Sequence, residues 1–179
     1  MPEESPTPTA TTTPTLPATA TNLLALATPV SQKVQLKHIN LWSGSIARQS
    51  DAPISPMPTV YNQRFSTEFS RKSESQLDVK VTFVWFGKSD YADNAMVEAK
   101  FTILYELADL HAHSDDQIVA FSKTNGVFNA WPYWREYLHS TCARIGIAPT
   151  TVPALTIVAL IAAYIMHEAT AAKSTGQAT

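Results

Sequence analysis

Residues 77–107 read LDVKVTFVWFGKSDYADNAMVEAKFTILYEL. In the first part Leu77, Val79, Val81, Phe83 and Trp85 alternate with Asp78, Lys80 and Thr82. In the last part Val97, Ala99, Phe101, Ile103, Tyr105 and Leu107 alternate with Glu98, Lys100 and Thr102. Successive side chains of a strand point to opposite faces, so a strict period of two marks a half-buried strand. The β-branched and aromatic residues at the apolar positions agree with that assignment. Gly87 to Asn94 (GKSDYADN) joins the two strands as a hairpin loop. One face of such a sheet has to be covered, and the rest of the chain must supply the cover.

Upstream, Val34, Leu36, Ile39 and Leu41 alternate with a one-residue slip at His38, which predicts a strand carrying a bulge. Pro53, Pro56 and Pro58 mark a loop. Tyr61, Phe65 and Phe69 share one face of a further strand, with Gln63 and Thr67 between them. Downstream, Ser114 followed by Asp115 and Asp116 predicts a capped helix with an acidic first turn, running to about Lys123. Asn125-Gly126 is expected to break it. A longer helix then runs from about Phe128 to Ile145, with Pro132 in its first turns and Gly146 closing it. Pro149 and Pro153 bracket an extended crossover, and a last helix runs from about Ala154 to Ala171. Four strands followed by helices define an α+β fold: a four-stranded antiparallel sheet with helices packed on one face.

Residues 1–22 are almost entirely Pro, Thr, Ala and Ser, too poor in apolar side chains to offset the entropy of ordering. The patch Leu23-Leu24-Ala25-Leu26 follows as a linker with weak docking capacity. Residues 1–30 are therefore expected to be a disordered tail, residues 31–172 a single domain, and residues 173–179 (KSTGQAT) a second tail. Thirteen basic and fifteen acidic side chains give a net charge of −2. That balance favours neither nucleic acid nor an anionic membrane surface. One cysteine, Cys142, cannot form an internal disulfide. Residues 1–21 hold no Lys, no Arg and no apolar core of a secretory leader. The apolar run Val152–Met166 is shorter than the roughly 20 residues that span a bilayer. No membrane span and a cytoplasmic location are expected.

The stretch AWPYWREYLHSTCARIGIAPTTVP, residues 130–153, resembles the SecB export chaperones. The family opens its long helix with Pro-Tyr-x-Arg-Glu, here Pro132, Tyr133, Arg135 and Glu136. It ends that helix with Gly and a Pro-containing crossover, here Gly146, Pro149 and Pro153. The resemblance covers about residues 33–170. It implies a SecB-like four-stranded sheet with two main helices, a homotetramer packed through the long helix, no enzymatic activity and no cofactor. It also implies holding of unfolded or precursor polypeptides in apolar grooves, with handover to the SecA motor, or service to an antitoxin of a toxin–antitoxin pair. Proteobacterial members carry an acidic tail that meets the zinc domain of SecA, where this chain has KSTGQAT.

A holding surface must accept many sequences, so it needs exposed apolar side chains and backbone hydrogen bonding rather than a shaped polar pocket. Four Trp, six Tyr and seven Phe supply the material. The residues expected to line a client groove are Trp42, Ile147, Val152, Leu155, Ile161, Tyr164 and Ile165. Trp131, Trp134, Tyr137, Leu138 and Ile145 of the long helix are assigned to contacts between subunits, with Arg135 and Glu136 as a charge pair near them. Catalysis and metal binding are not expected. His111, His113, Asp115 and Asp116 have suitable ligand types for zinc or iron, but a capped turn accounts for them more simply. Cys142 with His139 lacks a nucleophile motif.

Overall fold

The computed structural model describes residues 18–48, 60–88, 95–146, 152–156 and 159–160. The chain order is α1 (Ala18–Ser31), β1 (Gln35–Arg48), β2 (Val60–Arg71), β3 (Gln76–Lys88), β4 (Ala95–Glu106), a 3₁₀ turn (Leu110–Ala112), α2 (Asp115–Phe121), a π-helical turn (Ser122–Gly126) and α3 (Val127–Arg144). The sheet is antiparallel, in the order β1-β4-β3-β2. Strands β2 to β4 form a meander, and β1 returns beside β4 in a Greek key. The two strands with the strict alternation are therefore the central pair. Their apolar row, Leu77 to Trp85 and Val97 to Tyr105, is buried against α2 and α3. Burial of that row, at about 1.5–3 kcal/mol for each large apolar side chain, is the main force fixing the register.

Phe83 is the centre of the packing. The Trp134 indole stacks on it with 5.3 Å between centroids and 9° between planes. Trp131 meets it edge-on at 5.8 Å. Phe65 of β2 and Phe101 of β4 approach from the sides at 6.3 and 6.1 Å. One aromatic ring from each of three strands thus meets two from α3, which sets α3 across the sheet.

Three expectations are corrected. The first concerns residues 18–30, which form a helix rather than a tail. Leu23, Leu26, Ala27 and Val30 recur at helical spacing, and that stripe packs into the core, with Ala27 and Val30 buried. A 14-residue helix is marginal by itself, so α1 depends on its contact with α2. The second concerns Asn125-Gly126, where the helical path does not break. It widens into the π-helical turn and continues as α3, with Gly126 at φ −58°. The hydroxyls of Ser122 and Thr124 donate to the carbonyls of Ile118 and Ala120, four residues back, which is where such a turn loosens. Gly126 serves close packing instead: a Cβ there would stand 3.0 Å from Val79 Cγ1, tighter than an ordinary contact. Gly126→Ala is expected to cost about 1–3 kcal/mol by overpacking, measurable as a lower urea midpoint. The third concerns Arg135, which makes no ion pair with Glu136. Its Nε donates to the carbonyl of Val152 at 2.7 Å.

Other features follow the sequence reading. Ser114 caps α2, and Gln117 reaches back to complete a capping box. Gly146 ends α3 at φ +77°. The β1–β4 ladder shifts between Leu36 and His38, as the slip suggested, and again between Leu41 and Ser43. The last helix is described at Ala159 and Leu160. Thr156 caps it, its Oγ1 accepting from the Ala159 amide. The hairpin loop, the Pro-rich loop, the rest of the last helix and both terminal segments lie outside the described residues.

Candidate functional site

Among the described residues strand β1 is an edge, paired only with β4, so one side of its backbone offers N–H and C=O groups to another strand. The register places its side chains. Leu36, Ile39, Leu41 and Ile46 stand opposite Tyr105, Ile103, Phe101 and Val97, and so share the face that carries the helices. Their neighbours on β4 are buried under α2 and α3, while β1 projects beyond that cover. Leu36, Leu41 and Ile46 are left 47%, 50% and 44% exposed.

Helix α3 forms the wall of this ledge. Asn129, Tyr133 and Tyr137 are spaced four apart and so lie on one side of the helix. Asn129 Nδ2 donates to the Tyr105 hydroxyl at 2.9 Å. Burial raises the Tyr105 phenol to about 12, and the Asn129 bond opposes this more weakly. The Tyr133 ring lies 6.5 Å from that of Phe101 and is half exposed. Tyr137 reaches across to β1: a Cβ on Gly44 would stand 2.1 Å from its hydroxyl oxygen. Asn129 and Tyr133 thus sit over the β4 partners of Leu36 and Leu41, and Tyr137 over Gly44 of β1 itself. The site is an apolar row floored by β1, walled by tyrosines and bordered by an unpaired backbone edge.

The expected groove residues do not line one surface. Trp42 is 69% exposed, but it bulges to the opposite face of the sheet, where Lys80 Nζ lies 5.7 Å over its ring. Val152 is buried and Leu155 half-buried on the helix side of the sheet. The crossover is tied to α3 there by Arg135 and by Trp131 Nε1, which donates to the Pro153 carbonyl at 3.0 Å. Ile147, Ile161, Tyr164 and Ile165 lie outside the described residues. Of the expected interface residues, Trp134 and Leu138 are wholly buried within one chain and Trp131 nearly so. The two indoles pack on Phe83, and Trp134 and Leu138 present no surface to a second subunit. Tyr137 and Ile145 are half-buried.

The histidines near α2 do not converge either. His113 is buried with Nε2 3.6 Å from Asp109 Oδ1, and Asp115 pairs with Arg71 at 2.5 Å, while His111 is exposed. Among the described residues no three His, Cys, Asp or Glu side chains gather as a metal cluster. No helix among them is long and apolar enough to cross a membrane. Cys142 is buried.

The sheet order, the Greek key and the long helix laid across the central strands define a SecB-like fold. Among solved structures the chain is similar to the Mycobacterium tuberculosis SecB-like chaperone Rv1957, solved in complex with a ChAD peptide from the HigA1 antitoxin. The TM-score is 0.65 at 20% identity, over 76% of this chain and 99% of that one. It also matches a protein of unknown function from Streptococcus agalactiae, with a TM-score of 0.40 and 6% identity, over 68% of this chain and 97% of that one. No family model matches the sequence, and no curated protein matches it.

Proposed function

We propose that this protein is a SecB-type holding chaperone, a non-enzymatic cytoplasmic protein that binds unfolded segments of other polypeptides. The observation that carries this reading is the β1 ledge. Three of the six large apolar side chains most exposed among the described residues, Leu36, Leu41 and Ile46, share that face of the strand, and a fourth, Tyr133, walls it. A long, apolar, unpaired edge is a liability for a single chain and is normally blocked. Its retention fits a backbone edge that receives another strand and an apolar row beside it that receives extended client chain. The same edge supports assembly. Antiparallel pairing of β1 with β1 of a second copy is isologous and closes as a dimer, and two such dimers make the homotetramer. In that assembly the two apolar rows line one continuous cleft between the α3 walls, where clients are held. Precursor proteins bound for export, with handover to SecA, are the broad client class.

A second reading shares the fold and narrows the client. The chaperone is then dedicated to one partner, such as an antitoxin. The M. tuberculosis protein, solved in complex with an antitoxin peptide, favours it. The test is suppression of aggregation of several unrelated proteins diluted from denaturant. Protection of all of them at stoichiometric amounts is expected for the general chaperone. Protection of one partner only supports the dedicated form, and protection of none removes both.

A further inference from the structure

Helix α1 lies on α2 and the π-helical turn. It is the first of the described elements, joined to β1 by the short turn at Gln32 and Lys33, and it is not a strand of the sheet, so its release unpairs none of the described strands. Its grip is small-sided: Ala27 and Val30 are buried, Leu23 and Leu26 only partly. Pro29, inside the last turn, lacks the N–H of a helical hydrogen bond. The C-terminal end is fastened by Ser31 Oγ, 2.9 Å from Asn125 Oδ1, and by Lys33 Nζ, 2.5 Å from Asp109 Oδ2. Asn125 belongs to the π-helical turn, an irregularity found often at functional sites. That turn runs directly into α3, the wall of the ledge. The chain that supplies α1 is unusual in one more respect. From Ser5 to Gln32 it carries no charged side chain. Chemically it is an apolar, uncharged segment of the kind a holding surface accepts.

We propose that α1 is a displaceable cover. The surface of α2 and the π-helical turn beneath it is a docking site for a short, uncharged, apolar helical segment, and residues 18–31 occupy it until a similar segment of another polypeptide takes their place. This deepens the holding function and rests on it for the identity of the incoming segment. The site itself does not depend on that reading. A site filled by its own chain binds an external segment more weakly by the fraction of time it stands open. Loosening α1 must therefore strengthen binding in trans.

The probe is a fluorescein-labelled peptide of residues 18–31, titrated into the full-length protein and followed by anisotropy. Val30→Asp places a carboxylate in the covered stripe and leaves α2 unchanged. It is expected to bind the peptide about tenfold tighter than the parent chain, by raising the open fraction. Lys33→Glu sets a like charge against Asp109 without touching the core, and should shift binding in the same direction even where Val30→Asp does not fold. A Ser31→Cys, Asn125→Cys pair, closed by oxidation, should bind no peptide and recover binding on reduction. If Val30→Asp and Lys33→Glu bind no tighter than the parent, or the parent binds as tightly as they do, α1 is a fixed structural helix and the proposal fails. No foreign client enters the experiment. Loss of aggregation suppression with peptide binding intact would therefore count against the holding function alone.

Discussion

Trp134→Ala is expected to lower folding stability by about 3–5 kcal/mol, the range for emptying a buried tryptophan site. The indole is wholly buried and stacks on Phe83, the ring that Trp131, Phe65 and Phe101 also meet. Collapse of the site is opposed by Trp131, Phe65 and Phe101, which already press on Phe83 from other directions. Domains hold about 5–15 kcal/mol in total, so the substitution removes a large share of what keeps the chain folded. Thermal unfolding followed by circular dichroism should show a fall of about 10 °C or more. Trp134→Phe should cost much less. It keeps a ring on Phe83 and removes an indole N–H that is buried without a hydrogen-bond partner among the described residues. A Trp134→Ala protein that kept its melting temperature but fell apart into single subunits would return this residue to an interface and contradict its place in the core.

The second large effect is expected at the ledge. Leu41→Lys with Ile46→Lys places two charges on the face of β1 that points toward the helices. Inward-pointing lysine is a device by which natural edge strands prevent association. Both side chains are about half exposed, so folding stability should change by only about 0.5–1 kcal/mol. Self-association and client holding should instead weaken by at least about tenfold, since a few central apolar contacts carry most of an interface. Light scattering reads the assembly, and turbidity of an unfolding reporter protein reads the holding. A doubly substituted protein that assembled and protected like the parent would show that β1 is not the working surface. Gly44→Ala offers a milder check on the same wall, because its methyl group would displace the Tyr137 hydroxyl end that lies over β1.

The two substitutions separate two kinds of apolar residue that look alike in one dimension. Trp134 and Leu41 are both large, both in amphipathic patterns and both next to polar residues. One lies at the centre of the aromatic cluster, and the other beyond the reach of the helices. The sequence places each residue on a face but says nothing of where its strand stands in the sheet. That is why Trp131, Trp134 and Leu138 look like material for a subunit contact until the sheet comes up beneath them. It is also why Leu36, Leu41 and Ile46 pass for ordinary core. Trp42 shows the same limit in another form. The second bulge, between Leu41 and Ser43, turns its ring to the far face of the sheet, and no side-chain alternation upstream announces it.

What the amino-acid order determined by itself is local and periodic. The strict alternation over 77–85 and 97–107 dictates two half-buried strands, because the pleat admits no other placement of their apolar row. Ser114, Gln117 and Gly146 set helix ends by short-range hydrogen bonding and by backbone freedom, and the slip near His38 sets a bulge. The tertiary structure decided everything that depends on distance along the chain. It chose the order β1-β4-β3-β2, which makes β1 an edge and its leucines a ledge. It held Ala18–Ser31 as a helix that the residues alone would leave marginal, since a short helix gains its stability from the face it packs against. It carried the chain helically through Asn125-Gly126, where Gly126 is needed for close approach to Val79 rather than as a breaker. The physical reason is common to all three. Hydrogen bonds and steric limits act between neighbours and are written locally, while burial acts between faces that meet only once the chain has folded.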